Sequence, residues 1–195
     1  ASMLKKEGYA NYWFNRYHQQ RVWNAYLAQT DFAGTGPNWR ITGLTDTGDQ
    51  VSIEVTDAEG TFGHPMGISK SDFSRPASDV VAPVGSGGLL AALRTWQRLV
   101  TVGLRRFGEI EYLGQLPWGL PPGRADCLVG LYGGAECRFY FARTTGDLVG
   151  VEFFTRDDVD PCEMHFSDFR SVTGLRLPHR WDVYHGDDQF LSLDV

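Results

Sequence analysis

Asp158-Val159-Asp160-Pro161-Cys162-Glu163-Met164-His165-Phe166-Ser167-Asp168-Phe169-Arg170 is the stretch that decides the fold. In extended chain, Cys162, Met164 and Phe166 share one side, and Glu163, His165 and Ser167 take the other. A period of two with one apolar side marks an antiparallel sheet covered on one face. The pattern repeats upstream. Cys137, Phe139 and Phe141 share a face opposite Arg138 and Tyr140, and Val149, Val151 and Phe153 share a face of their own. Tyr132-Gly133-Gly134-Ala135 and Thr144-Thr145-Gly146-Asp147 carry hairpin turn chemistry.

Working outward, the chain after Gly108 reads as Glu109–Leu116, a Pro/Gly loop over 117–123, and six further strands. These are Asp126–Leu131, Glu136–Ala142, Leu148–Phe154, Cys162–Asp168, Arg180–His185 and Gln189–Asp194. Asp187-Asp188 reads as the turn between the last two. Upstream, Trp39–Gly43 and Val51–Val55 alternate, Thr61–Ile68 is a weaker strand broken by Pro65, and Lys70–Val84 has no period and reads as a surface connection.

Two helices are expected. Over about Tyr9–Leu27 (9–28, ending near Gln29), Trp13 and Tyr17, Val22 and Tyr26, and Trp23 and Leu27 stand four apart, leaving Asn15, Arg16, Gln19, Gln20 and Asn24 for water. Over 86–107, Leu89, Leu93, Trp96, Val100, Leu104 and Phe107 form an apolar stripe of about five turns, with Arg94, Gln97, Arg98, Thr101 and Arg105 elsewhere on the wheel. Ser86 is its expected N-cap and Gly108 its expected stop. The stripe suits the cover of a sheet. The arginines leave open its presentation to a membrane surface. The fold class is therefore α+β: a curved antiparallel sheet, an incomplete barrel, with an N-terminal helix and a long amphipathic helix on the concave face.

The 195 residues, 42% hydrophobic and 22% charged, suit one globular domain. Residues 1–8 read as a tag remnant or disordered lead, Ala1-Ser2-Met3 having the look of a cloning scar. A net charge of −6 argues against nucleic acid as partner, and no apolar run is long enough to span a bilayer. Three cysteines match no zinc spacing. If the hairpin closes on Gly133-Gly134, Cys137 faces Gly130 and not Cys127.

Catalytic constellations are sparse. Val84-Gly85-Ser86-Gly87-Gly88 resembles the nucleophile loop of chymotrypsin-like proteases, with Gly85 where that loop has aspartate. His64 and Asp79 precede it in the right order but too close together for two barrels. His179 and His185 share a strand, yet stand too far apart for one metal. Asp157, Asp158, Asp160 and Glu163 lack the spacing of a calcium loop. The sequence thus points to no enzyme, no cofactor and no metal. Its strongest feature is an aromatic sheet face under an amphipathic helix, which encloses either a hydrophobic ligand or a closed core. The candidate ligand-binding residues are Trp96, Val100, Phe139, Phe141, Val151, Phe153, Met164 and Phe166.

The order helix, strands, amphipathic helix, strands resembles the lipoprotein-carrier (LolA-like) fold of the bacterial envelope. Phe139–Leu148 and Phe166–Arg180 resemble two segments common in related envelope proteins, a hairpin strand and a Gly-turn, Pro-led strand. The resemblance implies a half-barrel that takes an acyl chain or other lipid, or a protein partner, in a periplasmic or secreted setting. The stretch from Gly85 to Glu163 also resembles a C-terminal accessory domain of secreted trypsin-like proteases, which implies a protease domain as partner.

Overall fold

A computed structural model describes residues 12–29, 32, 34–119 and 123–195. The expected lead, residues 1–8, and the expected first helical residues, 9–11, lie outside the described residues. Helix α1 (Tyr12–Gln29) is followed by β1 (Trp39–Thr45), β2 (Gln50–Val55), β3 (Glu59–His64) and β4 (Gly67–Asp72). Then come α2 (Leu89–Val102), the short α3 (Leu104–Phe107), and β5 (Glu109–Trp118), β6 (Gly123–Tyr132) and β7 (Ala135–Ala142). The chain finishes with β8 (Leu148–Phe154), β9 (Cys162–Val172), β10 (Leu175–His185) and β11 (Asp188–Asp194).

These strands form two antiparallel meanders, β1 to β4 and β5 to β11. They join because β11 returns to pair with β1, giving the order β4-β3-β2-β1-β11-β10-β9-β8-β7-β6-β5. The sheet is not closed, and β4 and β5 are its edges. Its curvature follows from α2, which packs against β2 and β3 on one side and β8 on the other. In a flat sheet β3 and β8 would stand about 28 Å apart, six strand spacings. A helix is only about 10–12 Å across. The sheet must therefore wrap α2, as the sequence implied.

Ten of the fourteen α2 residues are buried, so its stripe is covered by its own sheet and is not offered to a membrane. Even Gln97, expected on the polar side, is fully buried, donating to the Pro37 and Val55 carbonyls. Ser86 supports the helix start from two residues further out than a cap. Its Oγ accepts from the Gly88 and Leu89 amides and donates to the Pro83 carbonyl, while left-handed Gly88 occupies the cap position. The expected single helix over 86–107 is broken at Gly103, whose φ of 71° leaves the helical region. Arg98 then bonds the Arg106 and Phe107 carbonyls, closing the end of α3.

Four further expectations need correction. First, α1 docks the other way round over its first half. Asn15 and Gln19 face the protein, and Trp13 and Tyr17 are half or more exposed. The reason is the β5 edge: the Asn15 amide accepts from the Tyr112 N–H and donates to the Tyr112 carbonyl, and Gln19 donates to Ile110. Val22 and Tyr26 face the core as the pattern required. Second, Val149 does not share a face with Val151 and Phe153. A bulge between β7 and β8 pairs Phe141 with Leu148 but Tyr140 with Gly150, so Leu148 enters the core and Val149 turns to the outer face. Third, Thr61–Ile68 is a hairpin of β3 and β4, with Pro65 in its turn. Fourth, β10 starts at Leu175 and carries Pro178 inside it. Cys137 does lie opposite Gly130, and all three cysteines are free. Gly186 and Asp187 form the turn before β11. Among the described residues, no helix is long and apolar enough to cross a membrane.

Candidate functional site

The eight residues singled out by the sequence converge. Trp96 and Val100 project from α2, Phe139 and Phe141 from β7, Val151 and Phe153 from β8, and Met164 and Phe166 from β9. All are buried in one core. Val151 lies opposite both Phe139 and Met164, and the Trp96 and Phe166 rings stand 4.9 Å apart. The concavity under α2 is filled by these side chains. Trp96 also reaches past them, into an open groove.

That groove has a volume of about 470 Å³ and lies where the sheet is incomplete. β11 pairs with β1 only through Leu44↔Asp194 and Thr45↔Leu193, and with β10 as far as Arg180↔Asp194. Both neighbours run on beyond it. Trp39–Gly43 of β1 pair only with β2 among the described residues, and Leu175–Pro178 of β10 only with β9. Between these two stretches is a lane. Residues of both faces line it, Trp39 and Ile41 as well as Arg40 and Thr42, so it is a gap through the sheet and not a dimple on one side.

Three tryptophans make its inner wall. Trp39 meets Trp96 edge-on at 5.1 Å, and Trp96 meets Trp181 at 5.9 Å. Two of the indoles are satisfied: Trp181 donates to the Pro178 carbonyl and Trp96 to the Tyr26 hydroxyl. Burial pushes the Tyr26 phenol up, so it stays a neutral partner. The Trp39 Nε1 is buried and finds no acceptor among the described residues. An unmet buried donor of this kind costs about 1–3 kcal/mol.

A second constellation occupies the outer face. Trp118, at the end of β5, folds across the sheet and stands between Tyr140 (3.9 Å) and His165 (4.4 Å), all three rings near parallel. Gly150 lies between Tyr140 and His165 in the cross-strand row and leaves the slot that the indole fills, with Nε1 donating to the Val149 carbonyl. Beside it, the Tyr140 hydroxyl donates to Glu152, with Arg138 at 3.5 Å. Burial raises the Glu152 pKa against the opposing pull of Tyr140 and Arg138. An adjoining pocket of about 420 Å³ takes in Trp118, Phe166, Asp182 and Tyr184.

The hydrolytic candidates are dispersed or occupied. Ser86 is fully buried and committed to the start of α2. His64 accepts from the Met66 amide, and His179 lies 3.1 Å from the Leu177 carbonyl. Burial pushes the Cys127 thiol up to about 12 and raises Cys137 and Cys162 further, which makes poor nucleophiles. Among the described residues, no three His, Cys, Asp or Glu side chains gather as a metal would require.

The sequence reading missed the groove and the Trp118 slot. Two signals were present: Pro178 in an alternating run, which marks a strand with a free side, and Gly150 inside a strand, which marks close approach of another group. Comparison with family models, curated proteins and solved structures finds no match to this chain.

Proposed function

We propose that this chain is a non-catalytic binding domain that holds an apolar ligand in the groove walled by Trp39, Trp96 and Trp181. The observation that carries the reading is an open groove walled by three indole rings in mutual contact. Such a wall suits a ligand with an apolar body. A curved half-barrel wrapped on a helix is also the shape implied by the resemblance to lipoprotein carriers. A bacterial envelope setting, or attachment to a secreted protease, belongs to the same proposal. The filled concavity moves the proposed ligand from beneath α2 to the gap beside it, with Trp96 common to both.

An apolar fluorescent dye and a long-chain fatty acid test the reading. The expected result is saturable binding of one or both at one site. Ile41→Glu and Leu177→Glu are expected to weaken it at least tenfold, with Tyr184→Ala on the outer face leaving it unchanged. Absence of saturable binding, or binding indifferent to both groove variants, would overturn the reading.

A further inference from the structure

We infer that His18 is a pH-sensitive latch: as a neutral ring it holds the first half of α1 on the β5 edge, and its protonation loosens that half. The inference rests on α1 and is independent of the groove. The Tyr112 N–H and carbonyl are both met by the Asn15 amide, while Gln19 donates to the Ile110 carbonyl. Side-chain amides thus stand where a neighbouring strand would. Little else fastens this half of the helix. Tyr12, Trp13 and Tyr17 are half or more exposed, and the buried residues of α1, Val22 and Tyr26, belong to its second half. His18 lies at the centre of the contact. Its ring stacks on Tyr112 at 4.8 Å, and Phe14 lies against it at 4.3 Å.

The latch follows from one hydrogen bond. Arg21 Nε donates to His18 Nδ1 at 3.2 Å. An arginine stays protonated, so Nδ1 must be the bare nitrogen of the ring. A proton there breaks the bond and sets two cations side by side. Arg21 is not free to turn away, because its other end holds Asp126 of β6 at 2.9 Å, and the Tyr112 hydroxyl donates to the same carboxylate oxygen. Among the described residues, the charged or titratable groups around His18 are Arg21 and Tyr17 from α1, Tyr112 from β5 and Asp126 from β6. Glu111 of β5 lies 3.3 Å from the Gln19 amide. Burial and Arg21 push the His18 pKa below its ordinary value, and Asp126 pulls the other way without prevailing. The contribution of neutral His18 to docking is full above the ordinary histidine value. It is lost as pH falls from there through the folded pKa. The second half of α1 stays anchored by Val22 and Tyr26, so acid uncovers the β5 edge and leaves the fold intact.

Nuclear magnetic resonance of the whole chain tests this, with the His18→Asn variant beside the wild type. Asparagine places an oxygen near the position of Nδ1 and does not titrate. Two quantities are read between about pH 7.5 and about pH 5, a range that brackets histidine titration. One is the protonation of the His18 ring, and the other is the exchange rate of the Tyr112 amide, corrected for intrinsic chemistry. The expected result is Tyr112 exchange at least twofold faster at the acid end, with its midpoint on the His18 titration and the amides of β7 and β8 unmoved. His18→Asn is expected to protect Tyr112 equally at both ends of the range. Tyr112 protection that ignores pH, or that changes away from the His18 midpoint, would overturn the inference. So would an equal change in His18→Asn, or a change shared by the whole sheet. Should His18→Asn fail to fold, agreement or disagreement of the two wild-type midpoints still decides.

Discussion

At the scale of single residues, one glycine and one carboxylate give direct tests. Gly150 is where Trp118 lies, and an added Cβ would clash with the indole ring. Gly150→Ala is therefore expected to expel Trp118, lower stability by about 1–3 kcal/mol, and reduce the near-ultraviolet circular dichroism of the stacked rings. Retained dichroism with unchanged stability would show that the slot does not hold Trp118. Glu152 gives a pH signature. Its folded pKa is raised by burial, so the folded state holds that proton more tightly than the unfolded chain. Stability contributed by the proton is present below the ordinary glutamate value and is lost as pH rises through the folded pKa. Glu152→Gln keeps the acceptor for Tyr140 but does not titrate. Denaturation across pH 4–8 is expected to show the variant gaining on the wild-type chain as pH rises. Parallel profiles would contradict this.

At the scale of elements, α1 guards the β5 edge with amides where an apolar contact was expected. Asn15→Ala leaves the Tyr112 N–H and carbonyl without their partners, at an expected cost of about 1–2 kcal/mol by chemical denaturation. It also exposes a strand edge, so light scattering is expected to show more self-association. An unaltered denaturation midpoint would mean that the amide pairing contributes nothing. The same contact shows what was legible beforehand. Strands were readable because alternation reports burial directly, and β7, β8, β9 and β11 began within a residue of where the pattern placed them. Helix α2 was readable from its stripe. Gly103 was read through because the apolar spacing continues across it into Leu104 and Phe107. The face of α1 was misread because Trp13 and Tyr17 look like core, whereas the need being met is a row of peptide groups at an edge far along the chain. Val149 was misassigned because a bulge shifts parity without changing composition. Of the candidate site, Trp96 was legible and the groove was not, since it depends on which side chains distant strands bring together.

At the scale of the whole molecule, the two meanders meet at a narrow seam. Two residue pairs join β1 to β11, and Gly43 lets the end of β11 come close, since a Cβ there would strike the Asp194 backbone. Gly43→Val is expected to destabilise the fold by about 1–3 kcal/mol and to speed amide exchange in β1 and β11 before β6 to β9. Uniform exchange across the sheet would argue that the seam is no weak point. The seam and the groove adjoin: the tryptophan wall lies beside the two residue pairs that join β1 to β11. The chain has six tryptophans and hence six indole N–H signals. The most direct measurement is to follow them by nitrogen–proton correlation spectroscopy during titration with the fatty acid. Trp39, Trp96 and Trp181 are expected to shift together, while Trp13, Trp23 and Trp118 stay in place. Movement of Trp118 or Trp13 with the groove signals unchanged would contradict it.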